Sequence, residues 1–170
     1  MKNLWSERDA KSAQRRYARQ GVKRDLALRF YTTRLLGSVP ALVLHGGGNT
    51  SLKTVMADAL GEATDVLLVK GSGRDMARVE PADLPALRLA PLRRLIDLER
   101  LDDTEMVDAL GAACVDGSAP APLVETLLHA FLPHTFIDHT HANAIVALTN
   151  QPKGAEMCAQ VFGARVGLVP

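Results

Sequence analysis

Aromatic side chains make up only 4% of the 170 residues, cysteine occurs twice, and no apolar run approaches the length of a membrane span. The shortage of Phe, Tyr and Trp argues against an aromatic-rich binding surface and for an aliphatic interior of Leu, Val, Ala and Ile. Cys114 and Cys158 lie far apart in helix-like stretches. That excludes a disulfide framework and a clustered thiolate zinc site, and points to a reducing compartment. Residues 1–24 carry charge throughout and lack the apolar core of a signal peptide, and a span would need about 18 apolar residues in a row. A soluble, cytoplasmic protein is expected.

Charge of one sign is also missing, since the formal net charge is +1. It is unevenly spread. The first 34 residues hold ten Lys or Arg, from Lys2 to Arg34, against the three acids Glu7, Asp9 and Asp25. No aromatic platform or recognition motif accompanies this basic stripe, so it reads as a solvated helix face or subunit contact, with no nucleic acid or membrane as partner. At 170 residues and 47% hydrophobic content, one domain over 1–170 can bury roughly 70% of its unfolded surface without disulfides.

Apolar spacing predicts helix from about Glu7 to Leu36, in two pieces broken near Gly21, forming a basic segment packed on the rest. Short strands are predicted at Ala41–Leu44 and around Thr50–Lys53, separated by the turn Gly46-Gly47-Gly48-Asn49 as a hairpin-like unit. Asp65–Lys70 reads as a buried strand closed by Gly71-Ser72-Gly73. Helices are predicted at Pro91–Leu98, at Asp103–Cys114 with acids capping its start, and at Val124–Leu132, which Pro133 stops. A strand at Thr135–Thr140 precedes helices at Ala142–Leu148 and Gly154–Phe162, and a final strand begins at Arg165–Val169. The pattern is mixed α/β.

His139 and His141 close the run Phe136-Ile137-Asp138-His139-Thr140-His141. On a strand, residues i and i+2 project to the same face with Cα atoms roughly 6.5–7 Å apart. Two such imidazoles can lean together to lie about 2.0–2.1 Å from one zinc ion. Asp138 then points to the opposite face, where packing is its expected role, and Asn143 is expected as a helix cap. Glu125, near the start of a helix, either complements the helix dipole or sits beside the metal as a proton acceptor. His129, one turn later, and His134 read as hydrogen-bonded structural histidines before ligands, and His45 is open between the two.

Gly46-Gly47-Gly48-Asn49-Thr50-Ser51 supplies backbone N–H groups, an amide and two hydroxyls, the donors that a phosphate wants, or else forms a plain tight turn. It has neither P-loop lysine spacing nor the dinucleotide fingerprint. Lys70-Gly71-Ser72-Gly73-Arg74 repeats the arrangement with a cation on either side. Two such loops can converge on one anion.

Taken together, Leu42–Ser51, Lys70–Gly73, Glu125–His129 and Asp138–His141 resemble the class II aldolase/adducin family, most closely the aldolase part of bacterial rhamnulose-1-phosphate aldolase/dehydrogenase fusions. The resemblance runs from about Leu35 onward. It implies a three-layer α/β/α sandwich around a mostly antiparallel sheet, assembled as a homo-oligomer. It also implies a zinc-dependent lyase that cleaves a phosphorylated keto-sugar to dihydroxyacetone phosphate and an aldehyde. Zn2+ or another divalent metal would be held by His139 and His141, the proton moved by Glu125, and the phosphate held by Gly48, Asn49, Ser72 and Gly73. Two departures stand out. Relatives draw a third zinc-binding histidine from beyond the strand near Arg165, so the resemblance implies a fold incomplete at the C-terminus, and the gap argues for an inactive form. Leu123-Val124 replaces the serine that usually precedes the glutamate. The alternative is a non-catalytic, adducin-like assembly or binding module. A His-x-His-x-Asp-His hydrolase is disfavoured because Asn143 and Ala144 replace the acid and histidine.

Overall fold

The computed structural model describes residues 2–44, 47–57 and 60–169. Helices α1 (Glu7–Ala18) and α2 (Arg24–Gly37) break near Gly21, where the sequence places the break. Ser6 caps α1 by accepting a hydrogen bond from the Asp9 backbone N–H at 3.3 Å, which satisfies a donor that the helix start leaves open. Two long strands follow, β1 (Asn49–Ala57) and β2 (Ala63–Val69), then the short β3 (Ala86–Arg88). Helices α3 (Leu89–Arg94), α4 (Asp103–Ala113) and α5 (Thr126–Phe131) lead to β4 (Phe136–His139), and α6 (Asn143–Thr149) and α7 (Gly154–Phe162) come last. The acids predicted to cap α4 form a reciprocal box. Asp102 accepts from the Glu105 N–H at 2.9 Å, and Glu105 accepts from the Asp102 N–H at 3.0 Å.

The strands form an antiparallel sheet in the order β3-β2-β1-β4. Strand side chains alternate between faces, so each strand contributes to two cores. Leu67 and Val69 turn to one face, where they meet Leu87 of β3, Leu89 and Leu92 of α3, Leu110 and Ala113 of α4, and Ala130 of α5. Leu68 and its cross-strand partner Leu52 turn to the other, against Tyr17 of α1 and Ala27 and Phe30 of α2. Helices thus cover both faces, and the fold is the expected α/β/α arrangement. No helix among the described residues is long and apolar enough to cross a membrane.

Three local expectations fail, each for a tertiary reason. Ala41–Leu44 is not a strand: the N–H groups of Leu42 and Val43 both donate to the Val39 carbonyl, winding the chain into a turn. The pairing that a hairpin would have taken goes instead to β2 and β4 on either side of β1. Arg165–Val169 begins as the end of a 3-10 turn (Gly163–Arg165) and continues without regular structure, exposed, with no strand beside it among the described residues to complete a ladder. Asn143 is the first helical residue of α6 and makes no side-chain cap; its backbone N–H is already taken by the Ala41 carbonyl at 2.9 Å.

Leu67 is fully buried between β2 and the α3–α5 layer, so Leu67→Ala should cost about 2–5 kcal/mol in urea denaturation. Exposed Val107→Ala on α4 should stay within about 0.5 kcal/mol of the parent. Equal midpoints for the two variants would contradict this placement of the core.

Candidate metal and anion site

In an antiparallel sheet the start of one strand lies beside the ends of its neighbours. Because β1 is central, its first residues meet the ends of both β2 and β4. Asn49 lies opposite His139, and the Lys70 N–H donates to the Thr50 carbonyl at 3.1 Å. The glycine turn before β1, the Lys70–Arg74 turn after β2, and the end of β4 with His139 as its last residue and His141 in the loop beyond therefore gather at one end of the sheet. Glu125, the N-cap residue of α5, arrives over the same end.

Glu125, His139 and His141 place one candidate ligand atom each within 4.8 Å of one another. The imidazole centroids are 4.8 Å apart and tilted by 57°. Ligand atoms around a tetrahedral zinc are roughly 3.4 Å apart, so the cluster is somewhat open, and rotation of the exposed His141 ring can close it. The carboxylate of Glu125 makes no capping hydrogen bond to its own helix. Its Oε2 is buried without a hydrogen-bond partner, and so is Nδ1 of His139. Buried polar atoms left unsatisfied cost about 1–3 kcal/mol each, and two facing a common point suit a shared cation. Burial, and then the neighbouring His141, push the His139 pKa below its ordinary value and favour the neutral, ligating imidazole. Asp138 projects to the opposite face, as alternation requires, and pairs with the buried Arg29 of α2 at 2.5 Å.

The glycine turn is shaped by the histidines. A Cβ on Gly48 would lie 2.8 Å from the His139 carbonyl oxygen, and its φ of +68° disfavours any other residue. A Cβ on Gly47 would approach His141 Nδ1 at 3.2 Å. Gly46 and His45 lie outside the described residues. Asn49 is fully buried, and neither its amide oxygen nor its nitrogen has a partner. Ser72 and Gly73 are exposed on the neighbouring turn, whose Ser72 N–H donates to the Ala121 carbonyl of the segment leading to Glu125. The four residues expected at an anion thus sit on adjacent turns. The two flanking cations behave differently from one another. Arg74 pairs with Asp83 at 3.3 Å, whereas Lys70 is buried and its Nζ donates to the Arg74 carbonyl at 2.8 Å. Burial lowers the Lys70 pKa, and the carboxylate of Glu125 opposes that shift. Its inward turn has a sequence signal that is easily passed over, a lysine directly extending the apolar run Val66–Val69.

His129 is the buried structural histidine expected, with Nδ1 2.7 Å from Ser51 Oγ. His134 is exposed in the connection between α5 and β4, away from the ligand cluster.

A central antiparallel sheet, helices on both faces and a carboxylate–imidazole cluster at the sheet end define an α/β domain with a candidate divalent-metal site of the aldolase type. Residues 29–170 match the Class II Aldolase and Adducin N-terminal domain, and the chain belongs to that family. It is similar to the N-terminal class II aldolase domain of a conserved protein from Thermoplasma acidophilum, with a TM-score of 0.80 and 36% identity over 96% of this chain and 70% of that one. It is also 40% identical over 140 residues to YuxG of Bacillus subtilis (strain 168), named an uncharacterized oxidoreductase. That match takes in 82% of this chain, which spans about a fifth (20%) of the length of that curated relative.

Burial lowers the His129 pKa to about 4. The unfolded chain then takes up a proton below about 6.5 that the folded chain refuses until about 4, so His129 contributes stability above pH 6.5 that is lost as pH falls toward 4, roughly 3 kcal/mol at most. Urea unfolding of metal-free protein should give midpoints that fall more steeply between pH 6.5 and 4.5 than those of His129→Gln. Parallel slopes would contradict a neutral buried imidazole.

Proposed function

We propose that this domain is a zinc-dependent aldolase-type lyase module that cleaves a phosphorylated keto-sugar to dihydroxyacetone phosphate and an aldehyde. The observation that carries this reading is the convergence of Glu125, His139 and His141, with unpartnered buried ligand atoms, beside two donor-rich turns. His139 and His141 would hold the cation, with Glu125 in reach of it. A bound divalent cation supplies Lewis-acid polarisation of the substrate's carbonyl and hydroxyl oxygens. Gly48, Asn49, Ser72 and Gly73 offer backbone and side-chain donors that would orient a phosphate, lowering the barrier by fixing the reacting carbons relative to Glu125. Glu125, half-buried and with its Oε2 buried without a hydrogen-bond partner, is the group suited to take up and return a proton at its carboxylate.

The wider context supports the same assignment. An oxidoreductase name on a relative of which the matched segment is only a fifth is in keeping with an aldolase part within an aldolase/dehydrogenase fusion. Exposed Leu128 and Leu132 at α5, with Ile145 and Val146 on α6, are suited to contact with further copies in a homo-oligomer. Two free cysteines fit a cytoplasmic setting. The apolar Leu123-Val124 before Glu125 favours the second reading, an adducin-like assembly module that has lost catalysis.

Zinc titration of metal-free protein should give one ion per chain, and His139→Ala should abolish stoichiometric binding. Zinc-loaded protein should release dihydroxyacetone phosphate from at least one ketose 1-phosphate, with Glu125→Gln reducing turnover by about a hundredfold or more. Stoichiometric zinc that is lost in His139→Ala would exclude the adducin-like module, which keeps the fold without the metal; absence of cleavage of any sugar phosphate by zinc-loaded protein would reject the lyase.

A further inference from the structure

Helix α5 is only six residues long, too short to hold its own position in water, so what it packs against decides where Glu125 sits. Besides the apolar packing of Ala130 against Leu67 and Val69, a side-chain hydrogen bond ties the helix to the sheet. His129 Nδ1 lies 2.7 Å from Ser51 Oγ, and both residues are fully buried. His129 is one turn beyond Glu125, and its N–H donates to the Glu125 carbonyl at 3.3 Å. Ser51 is paired across β1–β4 with Ile137, two residues before His139. The hydrogen bond therefore bridges the element that carries the carboxylate and the strand pair that carries the imidazoles. Its length is fixed, because Ser51 has a short side chain with one rotatable bond and His129 a rigid ring.

From this we infer that the Ser51–His129 bond is a positioning device: it sets the height of Glu125 above the sheet and so the spacing between the carboxylate and the imidazoles of His139, the last residue of β4, and His141 just beyond it. The inference rests on the metal reading of the site and adds to it a residue pair that touches neither ion nor substrate. A core histidine with a purely structural role would stabilise the fold without altering how a metal is held. A positioning pair must change the coordination itself.

Cobalt(II) titration of the metal-free chain reads this difference, because the visible bands of bound cobalt report ligand number and geometry. Ser51→Ala and His129→Leu should each bind cobalt about tenfold or more weakly than the parent and with shifted bands, as loss of supporting partners behind a metal site does. His129→Asn, whose amide can occupy the place of Nδ1, should recover the parent spectrum. The double variant Ser51→Ala/His129→Leu should be no worse than the weaker single one, since both remove the same bond. Parent-like affinity and bands in Ser51→Ala overturn the inference, and this variant deletes only one oxygen should the larger change at 129 fail to fold. A parent chain that takes up no cobalt overturns the metal reading and the positioning role with it.

Discussion

The pairing of β1 with β4 is the constraint on which the site depends. Asn49 opposite His139 and Ser51 opposite Ile137 set which side chains face α5 and which face α2. With this register His139 turns toward Glu125, and Asp138 toward Arg29. A slip of one residue would exchange those faces and carry the imidazole away from the carboxylate. The register is held from behind the sheet. Arg29 on α2 reaches Asp138 at 2.5 Å, and the hydroxyls of Thr33 and Thr50 meet at 2.6 Å, with Arg29, Thr33 and Thr50 all buried. Asp138 is half-exposed but Arg29 is buried, so a register that removed Asp138 would strand the buried guanidinium, and the contact penalises the wrong register more than it stabilises the right one.

At the sheet end the molecule tolerates polar groups that a core would exclude. Asn49, Glu125, Thr126, His129 and His139 each keep a buried polar atom without a partner. Such atoms are rare in folded proteins and gather where something else is to be bound. Desolvation lowers the His139 pKa and favours the neutral form in which an imidazole ligates, while His129, also shifted down by burial, is held in the core by Ser51. A ligand that satisfies these atoms binds only the folded chain and stabilises it by mass action. The site is thus linked to the stability of the layer that carries it.

Much of this was legible in the sequence, and the parts that were not share a cause. Helices α1, α2, α4 and α7, the strand after Ala63 and the strand that leads to the histidine pair announce themselves through period, caps and glycine punctuation, all of which are local. The facing of His139, with Asp138 opposed, follows from strand alternation, but β4 ends at His139, and His141 comes beside it from the loop beyond and not from the strand. By contrast, Ala41–Leu44 and Arg165–Val169 have strand composition but, among the described residues, no strand with which to pair, and pairing is not written in a strand's own residues. Asn143 stands one residue inside α6, with Ala142 at the cap position, where its backbone N–H meets the Ala41 carbonyl from a distant part of the chain. The bond from Ser51 to His129 joins positions far apart and emerges only once the layers are stacked, whereas the inward turn of Lys70 is signalled by the apolar run that it extends. Gly47 and Gly48 fall between: a turn was evident, but its close approach to His141 and His139 was not.

The proposed function requires one cation shared by the imidazoles of His139 and His141 and the carboxylate that precedes α5. X-ray absorption at the zinc edge of stoichiometrically loaded protein measures that shell directly. The predicted result is a shell of nitrogen and oxygen at about 2.0–2.1 Å with the outer scattering of two imidazoles, one of which disappears in His141→Ala. A sulfur shell near 2.3 Å, or a spectrum indifferent to His141, would place the metal elsewhere and contradict the account.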